Sequence, residues 1–400
     1  MLPVEMMPGV YWVGVNDYIT QMFEGLWSIK QSGICYNSYL VRRTKTALID
    51  LAKSFQTEEL ITQIKTVVDI GMLDYIVLNH VEPDHAGALN IIRQLAPKAV
   101  LVGSKITQKM LKAFYGIDFD IHVVSDGDEL SLGDSQLRFI TMPFVHWPES
   151  MMTYMPDEQL LFSNDAFGGY GLLPGAIYAD LYDIEHLRQE NLRYFVNIVA
   201  HYEKPVSKLL AKISDVPVRM IAPSHGPIWR EGVTRLACWY QEWLDCASGK
   251  AQEAVTLIYA SMYQNTERMM EAVAQGVVSQ KVPLNVFNVS NVHVSYILPS
   301  LLERGGVIVG SPTYEGELFP PVAEVIRYAA EKKIHHRKAA FFGSYGWGGG
   351  AKDGFVCLIK PMAWELTDSL EVTGAPTEQD LQRAERLGAQ FAQRIKTSEK

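Results

Sequence analysis

Two histidines and two carboxylates stand within six residues of one another, directly after an apolar run. The run at 73–79 predicts a buried strand. The side chains that follow it are His80, Glu82, Asp84 and His85. Imidazoles and carboxylates held convergent at the rigid end of a strand suit a metal site better than a packing role. The alternative is an exposed polar loop that happens to be rich in histidine and acid.

Three further side chains of the same kind occur in the same kind of place. His146, Asp165 and His225 each follow a short apolar segment that predicts a strand. Strand ends on one edge of an α/β layered fold converge, and such folds place their functional sites there. We therefore expect all of these side chains to meet at one site.

The combined set contains four imidazoles and three carboxylates. Its members are His80, Glu82, Asp84, His85, His146, Asp165 and His225. Seven ligands are too many for one ion and suit two ions that keep open positions, with Asp165 as the bridging carboxylate. A set of nitrogen and oxygen ligands without thiolate favours iron or manganese, and zinc remains open.

The elements that must hold these ligands are short strands and helices. The first fifty or so residues alternate as antiparallel strands do. Residues 57–70 have helical apolar spacing behind a Thr57 cap, and a second helix is expected around 86–95. Strand and helix patterns continue through 100–103 and 137–143. The first part of the chain is therefore predicted to be mixed α/β with layered sheets.

A domain boundary is expected near residue 250, because 247–253 is small and polar and the pattern changes after it. Four hundred residues also exceed what one hydrophobic core usually serves. We predict domains at 1–250 and 251–400. The second has the regular alternation of a doubly wound, five-stranded parallel sheet. Its strands are predicted at 254–260, 283–288, 306–310, 338–342 and 369–373, and its helices near 266–279, 321–332, 351–361 and 378–394.

Three loops at strand ends of the second domain could bind a ligand. The turn 261–266 is rich in hydroxyls and opens a helix, so its N–H groups and the helix dipole can hold a phosphate. There is no G-x-G-x-x-G motif, which argues against a dinucleotide. The loops 311–315 and 343–348 offer aromatic rings that can stack on a flat cofactor and glycines that admit its polar edge. The alternative is a capped turn without a ligand.

Composition excludes several classes of function. A net charge of -9 argues against nucleic acid as a partner, since phosphate neutralisation needs a basic face. No apolar run is long enough for a membrane span, and the first residues lack the pattern of an export signal. The four cysteines form no Cys-x-x-Cys pair, so no disulfide framework or thiolate-bound iron centre is encoded. A cytoplasmic location is expected.

The ligand set is similar to that of the metallo-β-lactamase superfamily, whose usual motif is His-x-His-x-Asp-His. Glu82 stands where a hydrolase of that superfamily would have histidine. Together with the segments 145–151 and 222–227, this substitution resembles the flavodiiron proteins over the whole chain. The resemblance implies a metallo-β-lactamase-like αββα sandwich followed by a flavodoxin-like doubly wound parallel sheet.

The resemblance also implies how the ligands divide. His80, Glu82 and His146 would bind one iron, and Asp84, His85 and His225 the other, with Asp165 bridging. An additional anionic ligand stabilises the higher oxidation state of iron, which a redox site needs and a zinc hydrolase does not.

In the second domain the resemblance implies FMN, with the turn 261–266 as the phosphate loop. The predicted contacts are Ser261, Met262, Tyr263, Asn265, Thr266, Ser311, Pro312, Thr313, Tyr314, Ser344, Tyr345, Gly346 and Trp347. Family members often have asparagine where Glu315 stands here, which affects one ring contact and the flavin potential.

The expected function is therefore an oxidoreductase that reduces O2 to water, NO to N2O, or both. Rubredoxin or a similar small electron-transfer protein is the implied donor, and a head-to-tail homodimer, or a dimer of dimers, the implied assembly. A dizinc hydrolase fused to a flavodoxin-like docking module is the alternative, against which Glu82 argues. A pure electron carrier would not explain seven metal ligands.

Overall fold

A computed structural model describes residues 2–118 and 120–397 of the chain. The chain divides into two compact units, Met1–Tyr240 (unit 1) and Gln241–Lys400 (unit 2). The division falls inside a helix and slightly before residue 250, so the boundary predicted there stays a prediction. Within the described ranges, no helix combines the length and the apolar character needed to cross a bilayer.

Unit 1 is built from short strands and helices. The strands are β1 (Val4–Met7), β2 (Val10–Trp12), β3 (Val15–Asp17), β4 (Met22–Phe23), β5 (Trp27–Ser28), β6 (Ile34–Tyr36), β7 (Tyr39–Arg42), β8 (Thr46–Ile49), β9 (Tyr75–Val77), β10 (Val100–Ser104), β11 (His122–Val124), β12 (Glu129–Ser131), β13 (Gln136–Thr141), β14 (Met151–Met155), β15 (Leu160–Asn164) and β16 (Met220–Pro223). The helices are α1 (Thr57–Val67), α2 (Pro83–Ala86), α3 (Leu89–Leu95), α4 (Lys105–Tyr115), α5 (Ile184–Tyr194) and α6 (Glu203–Ile213), while α7 (Val233–Ala247) continues into unit 2.

Two large sheets form the centre of unit 1. One has the strand order β1-β2-β7-β8-β9-β10-β11, and the other has the order β12-β13-β14-β15-β16. The first sheet is antiparallel up to β8 and parallel from β8 to β11. The predicted antiparallel start of the chain is therefore confirmed.

The core of unit 1 lies between these two sheets. Trp12, Tyr39 and Val77 from the first sheet join Phe139 and Phe162 from the second in one buried cluster. The pleat sends alternate residues to the other face, where the side chains of β8, β14, β15 and β16 are also buried and α4 packs on β10 and β11. This burial on both faces fixes the strand ends from which the candidate ligands project.

Unit 2 contains a parallel sheet between helices. Its strands are β17 (Gln252–Tyr259), β18 (Leu284–Asn288), β19 (Arg304–Tyr314), β20 (Glu317–Leu318), β21 (Lys338–Tyr345) and β22 (Glu365–Thr373). Its helices are α8 (Asn265–Ser279), α9 (Val294–Glu303), α10 (Pro320–Glu331), α11 (Ala351–Ile359) and α12 (Glu378–Lys396). The order β18-β17-β19-β21-β22 is parallel throughout, and β20 is a short antiparallel addition to β19. The predicted five-stranded parallel sheet is present.

Local predictions differ from the structure at several helices. The helix expected around 86–95 is two helices, α2 and α3, and α9 was not predicted. Pro299 lies inside α9, where proline is a helix-breaking signal. Thr57 is the first residue of α1 rather than its cap, because its hydroxyl donates to the Ser54 carbonyl oxygen at 2.6 Å. That helix also ends at Val67, earlier than the predicted residue 70.

Helices α8 and α12 cross in close contact on one face of the unit 2 sheet. A Cβ added at Gly276 of α8 would lie 2.0 Å from the Glu385 carbonyl oxygen, and one at Gly388 of α12 would lie 2.0 Å from the Val273 carbonyl oxygen. Only glycine permits two backbones to approach this closely. The pair fixes α8, whose first turn faces the predicted phosphate loop.

We expect Gly276→Ala and Gly388→Ala each to destabilise unit 2 by about 2 kcal/mol or more, because the added methyl overpacks the crossing. This loss should exceed the gain of about 1 kcal/mol that alanine brings to a helix interior. Thermal unfolding of the full chain measures the effect. Gln390→Ala, at an exposed position of α12, is the matched control. Unchanged melting of both glycine variants would contradict the close crossing.

Candidate metal centre and flavin pocket

All seven predicted metal ligands lie at the ends of unit 1 strands or just beyond them. His80 follows β9, and Glu82 is the residue before α2. Pro83 occupies the first position of that helix, where its missing N–H costs nothing, so the chain turns at once and presents Asp84 and His85. His146 lies in the loop between β13 and β14, Asp165 directly follows β15, and His225 follows β16.

The seven side chains meet in two groups around one carboxylate. In each group, the potential ligand atoms lie within 4.8 Å of one another; the groups are His80, His146 and Asp165, and Asp84, His85 and His225. The Asp165 Oδ2 atom lies 3.5 Å from His80 Nε2 and 3.3 Å from His146 Nε2. Its Oδ1 atom lies 3.2 Å from His85 Nε2 and 3.4 Å from His225 Nε2. One oxygen thus faces each group, which is the arrangement of a bridging carboxylate.

The remaining two carboxylates each belong to one group. Glu82 Oε2 lies 3.2 Å from Nε2 of both His80 and His146. The two oxygens of Asp84 lie 3.4 Å from His85 Nε2 and from His225 Nε2, respectively. The structure therefore brings together every metal ligand that the sequence predicted. Their roles as ligands stay predictions.

The buried polar atoms of this site fit a pair of cations. Both oxygens of Asp84, Oδ2 of Asp165 and Nε2 of His225 are buried and form no hydrogen bond. Burying carboxylates without partners is costly, and charge-neutralising metal ions would offset that cost. The nitrogen and oxygen donors suit iron.

Mutual attraction between rings and carboxylates sets the charge state of the metal-free site. Burial lowers the pKa of His146 and His225, but the nearby carboxylates outweigh burial and raise these pKa values to about 9 and about 10, respectively. Burial raises the pKa of Asp165, but the surrounding histidines hold it well below its usual value. The carboxylates thus favour the protonated form of both rings in the metal-free site, and metal binding displaces these protons.

A second layer of residues orients the predicted ligands. Glu149 Oε1 lies 2.6 Å from His80 Nδ1 and accepts a hydrogen bond from the Val81 N–H at 3.1 Å. The Cys35 carbonyl oxygen lies 2.8 Å from His225 Nδ1. Partners of this kind fix which ring nitrogen faces the metal. Burial raises the pKa of the Cys35 thiol to about 12, so this sulfur remains protonated.

Sequence reasoning missed these orienting residues. Glu149 stands in the segment 145–151 that already pointed to a site, so a carboxylate three residues after His146 was a usable signal. Cys35 acts through its backbone, for which no sequence signal exists. Tyr194 gave no signal either, although its hydroxyl donates to Asp165 Oδ1 at 3.1 Å.

Aromatic rings and one further acid surround the site. Trp147 meets His80 edge to face, with ring centroids 5.0 Å apart, and Phe23 meets His225 in the same way at 5.4 Å. Glu24, in the turn after Phe23, belongs to a third group of potential ligand atoms with Glu82 and His146. The Trp27 indole N–H donates to Glu24 Oε2 at 3.1 Å. These residues also lay outside the sequence prediction.

The three predicted flavin loops of unit 2 line one cavity of about 560 Å³. Its lining residues are Ser261, Met262, Tyr263, Asn265, Thr266, Pro312, Thr313, Tyr314, Glu315, Gly316, Ser344, Tyr345, Gly346, Trp347, Gly348, Gly349 and Gly374. Ser311 does not line the cavity, because its buried hydroxyl donates to the Pro312 carbonyl oxygen and accepts from the Phe319 N–H. Ser311 is the one predicted flavin contact that is not part of the cavity lining. The lining residues that were not among the predicted contacts are Glu315, Gly316, Gly348, Gly349 and Gly374.

The cavity fits FMN at both of its ends. Strand β17 leads into the hydroxyl-rich turn, and the 15-residue α8 begins at Asn265. The N–H groups of Asn265 and Thr266 in its first turn can bind a phosphate, while the Glu267 N–H donates to Ser261 Oγ at 3.3 Å. Thr266 Oγ1 lies 3.1 Å from Ser344 Oγ, which joins the first and third loops. At the opening, Trp347 is fully exposed and Tyr263 is 81% exposed. These flat rings can cover an isoalloxazine.

Comparison with known proteins agrees with this two-part arrangement. Residues 34–226 match the model of the ODP family beta lactamase, and residues 257–388 match that of flavodoxin. The chain is 35% identical to a nitric oxide reductase of Moorella thermoacetica over 398 residues, which cover 98% of this chain and 99% of that protein. The crystal structure of the flavodiiron protein from Giardia intestinalis superposes with a TM-score of 0.94 at 29% identity, covering 99% of this chain and 97% of that one. The chain belongs to the flavodiiron protein family.

A second solved flavodiiron structure extends over the same range. Rubredoxin oxygen:oxidoreductase from Desulfovibrio gigas has a TM-score of 0.93 and 28% identity, with 98% of both chains covered. Membership of the flavodiiron family confirms the predicted family, the predicted fold class and the class of oxidoreductase. The predicted cofactors, two irons and FMN, are the ones that the two ligand groups and the flavodoxin match support.

Glu149→Gln should weaken metal binding at the position next to His80 by about 10- to 100-fold, because the ring loses the carboxylate that orients it. Metal content after dialysis against graded chelator concentrations measures this effect. Glu129→Gln removes an equal charge from an exposed ion pair with Arg138 and serves as the control. Equal metal retention by both variants would mean that Glu149 does not support the site.

Proposed function

We propose that this flavodiiron protein reduces O2 to water, NO to N2O, or both, at a non-haem diiron site, with electrons supplied through FMN. The observation that carries the proposal is the position of Asp165, whose two oxygens face two separate groups of buried imidazoles and carboxylates. A flavin-sized cavity in the same chain supplies the second half of the argument.

Each iron would have its own ligand set. His80, Glu82 and His146 would hold one iron, and Asp84, His85 and His225 the other, with Asp165 shared between them. The distances from Glu82 Oε2 to two imidazoles support its place in the first set. A carboxylate at this position distinguishes the set from that of a zinc hydrolase and favours the oxidised state of iron.

When bound, the diiron pair and the flavin together supply the four electrons that O2 needs, or the two that a pair of NO molecules needs. The chain's own residues position and shield this site. Glu149 and the Cys35 carbonyl group orient two ligand imidazoles, and the Tyr194 hydroxyl holds one oxygen of Asp165. Phe23 and Trp147 cover ligand rings with apolar surface and limit the access of water.

The flavin would lie with its phosphate at the start of α8. Asn265 and Thr266 open that helix, so the phosphate would meet N–H groups and the positive end of the dipole. The isoalloxazine would lie beside Tyr263 and Trp347, whose exposure leaves a wide contact surface. Twelve of the predicted contacts support this placement by lining the cavity.

The electron donor would be a separate small protein such as rubredoxin. Two observations on these 400 residues favour an external donor. They contain no G-x-G-x-x-G motif of a dinucleotide site and no Cys-x-x-Cys pair. The cytoplasm is the proposed location, since a reducing compartment suits the four free cysteines.

The proposed assembly is a head-to-tail homodimer, alone or as a dimer of dimers. The metal ligands belong to unit 1 and the flavin cavity to unit 2, while fast electron transfer needs the two cofactors in near contact. In such a dimer, the fully exposed Trp347 of one chain would face the diiron site of the other. Two-fold symmetry would make two equal sites.

Purified iron-loaded protein should contain about two irons per chain and consume O2 or NO under a reduced donor. Asp165→Asn should reduce iron content and gas consumption together by about 10- to 100-fold or more, because the bridge loses its charge. Iron analysis and electrode measurements of each gas test this. Asp128→Asn, on the surface, is the control.

The alternative outcome is also measurable. If the native protein retained zinc, consumed neither gas and hydrolysed an ester or lactam, the diiron assignment would be wrong. Circular dichroism of the Asp165 variant separates loss of metal from loss of fold.

Mixing two inactive variants tests the dimer. One carries His85→Asn and His146→Asn, and keeps its flavin; the other carries Ser261→Asp and Thr266→Asp, which repel the phosphate, and keeps its irons. If electrons cross between chains, mixed dimers should recover up to about half the native rate, since one of the two symmetric sites is complete. Heterodimers that form but stay inactive would show that transfer runs within one chain.

A further inference from the structure

Glu315 gives the flavin cavity a negative charge. It is the sole carboxylate among the described residues that line the cavity, and no lysine, arginine or histidine stands among them. The remaining lining is made of hydroxyls, an amide, aromatic rings, apolar side chains and glycine backbone. A charge at this position therefore has no lining cation to oppose it.

The backbone places Glu315 in a tight turn, with its side chain exposed at the rim of the cavity. The pairs Thr313 with Leu318 and Tyr314 with Glu317 leave a two-residue turn between β19 and β20. Glu315 and Gly316 both have left-handed backbone, with φ of 51° and 80°. Such turns strongly favour asparagine, aspartate or glycine at the first position, so glutamate there is locally unfavourable.

The turn also packs against Gly350, which lies between the third flavin loop and α11. A Cβ added at Gly350 would lie 1.9 Å from the Gly316 carbonyl oxygen, so the two backbones are in close contact. This contact holds the turn beside the cavity. A strained residue that persists at a ligand site is a candidate for a functional role.

Reduction changes the charge of the flavin ring, and a nearby carboxylate interacts with that charge. Two-electron reduction follows FMN + 2e⁻ + H⁺ → FMNH⁻, so the ring gains one negative charge while the external donor is oxidised. A neighbouring carboxylate disfavours the charged product by repulsion, and a site without cations offers little compensation.

We propose that Glu315 lowers the reduction potential of the flavin bound in this cavity by repelling the charge that reduction adds to the ring. The proposal rests on the proposed binding of FMN and extends it to the energy at which electrons leave the flavin.

The test compares dissociation constants of oxidised and reduced FMN for the iron-loaded full chain, with anaerobic potentiometry as a second measurement. Glu315→Gln should tighten the binding of reduced FMN relative to oxidised FMN by about three- to tenfold, equal to a rise of about 15 to 30 mV for a two-electron couple. Glu315→Asp keeps the charge and tolerates the turn, so it should retain the native ratio.

Glu317→Gln is the matched control. It removes the same charge from the same hairpin but does not line the cavity. A shift in Glu315→Gln that is absent in the other two variants supports the proposal. Equal shifts in the two glutamine variants would assign the effect to general surface charge and overturn it.

Two other outcomes would also overturn the proposal and are distinguishable. Equal weakening of oxidised and reduced FMN by Glu315→Gln would mean that the residue only supports the turn. Failure of the unaltered chain to bind FMN at all would refute the proposed flavin function itself, and the inference with it.

Discussion

The buried carboxylate of Asp165 imposes the main constraint on unit 1. Each of its oxygens faces a pair of imidazoles, and two further acids lie in the same desolvated space. So many buried charges are tolerable only if their positions alternate in sign and if cations complete the balance. The fold must therefore hold seven side chains at fixed distances, and the strands β8, β14, β15 and β16, buried on both faces, contribute to that rigidity.

The strand ends reach this geometry through locally unfavourable backbone. Asn164, directly before Asp165, has a φ of 55°, and Phe144, two residues before His146, has a φ of 64°. Left-handed backbone at non-glycine residues is uncommon and concentrates at functional sites. Here it aims ligands that a regular strand ending would direct elsewhere. Packing between the two sheets of unit 1 offsets the conformational cost of this left-handed backbone.

The sequence predicted that the seven candidate metal ligands meet because each follows a predictable strand, and strand ends of such folds converge. It predicted that the three candidate flavin loops meet for the same reason. What it could not supply were contacts made by backbone, such as the Cys35 carbonyl group on His225, or by a residue distant in sequence, such as Tyr194 on Asp165. Helix α9 was missed because Pro299 contradicts the local pattern, whereas buried neighbours such as Leu298 and Leu301 stabilise the helix.

Glu82 and Glu315 would each place a negative charge at one of the two cofactor sites. As a ligand of one iron, Glu82 would add negative charge there, stabilise the oxidised metal and so lower its potential. Taken alone, that change would narrow the energy difference that drives electrons from flavin to iron. With the proposed effect of Glu315, the flavin potential would fall as well, and the difference would be restored. Two negative charges, one at the acceptor centre and one at the donor centre, would thus shift both potentials in the same direction and leave the driving force for electron transfer nearly unchanged.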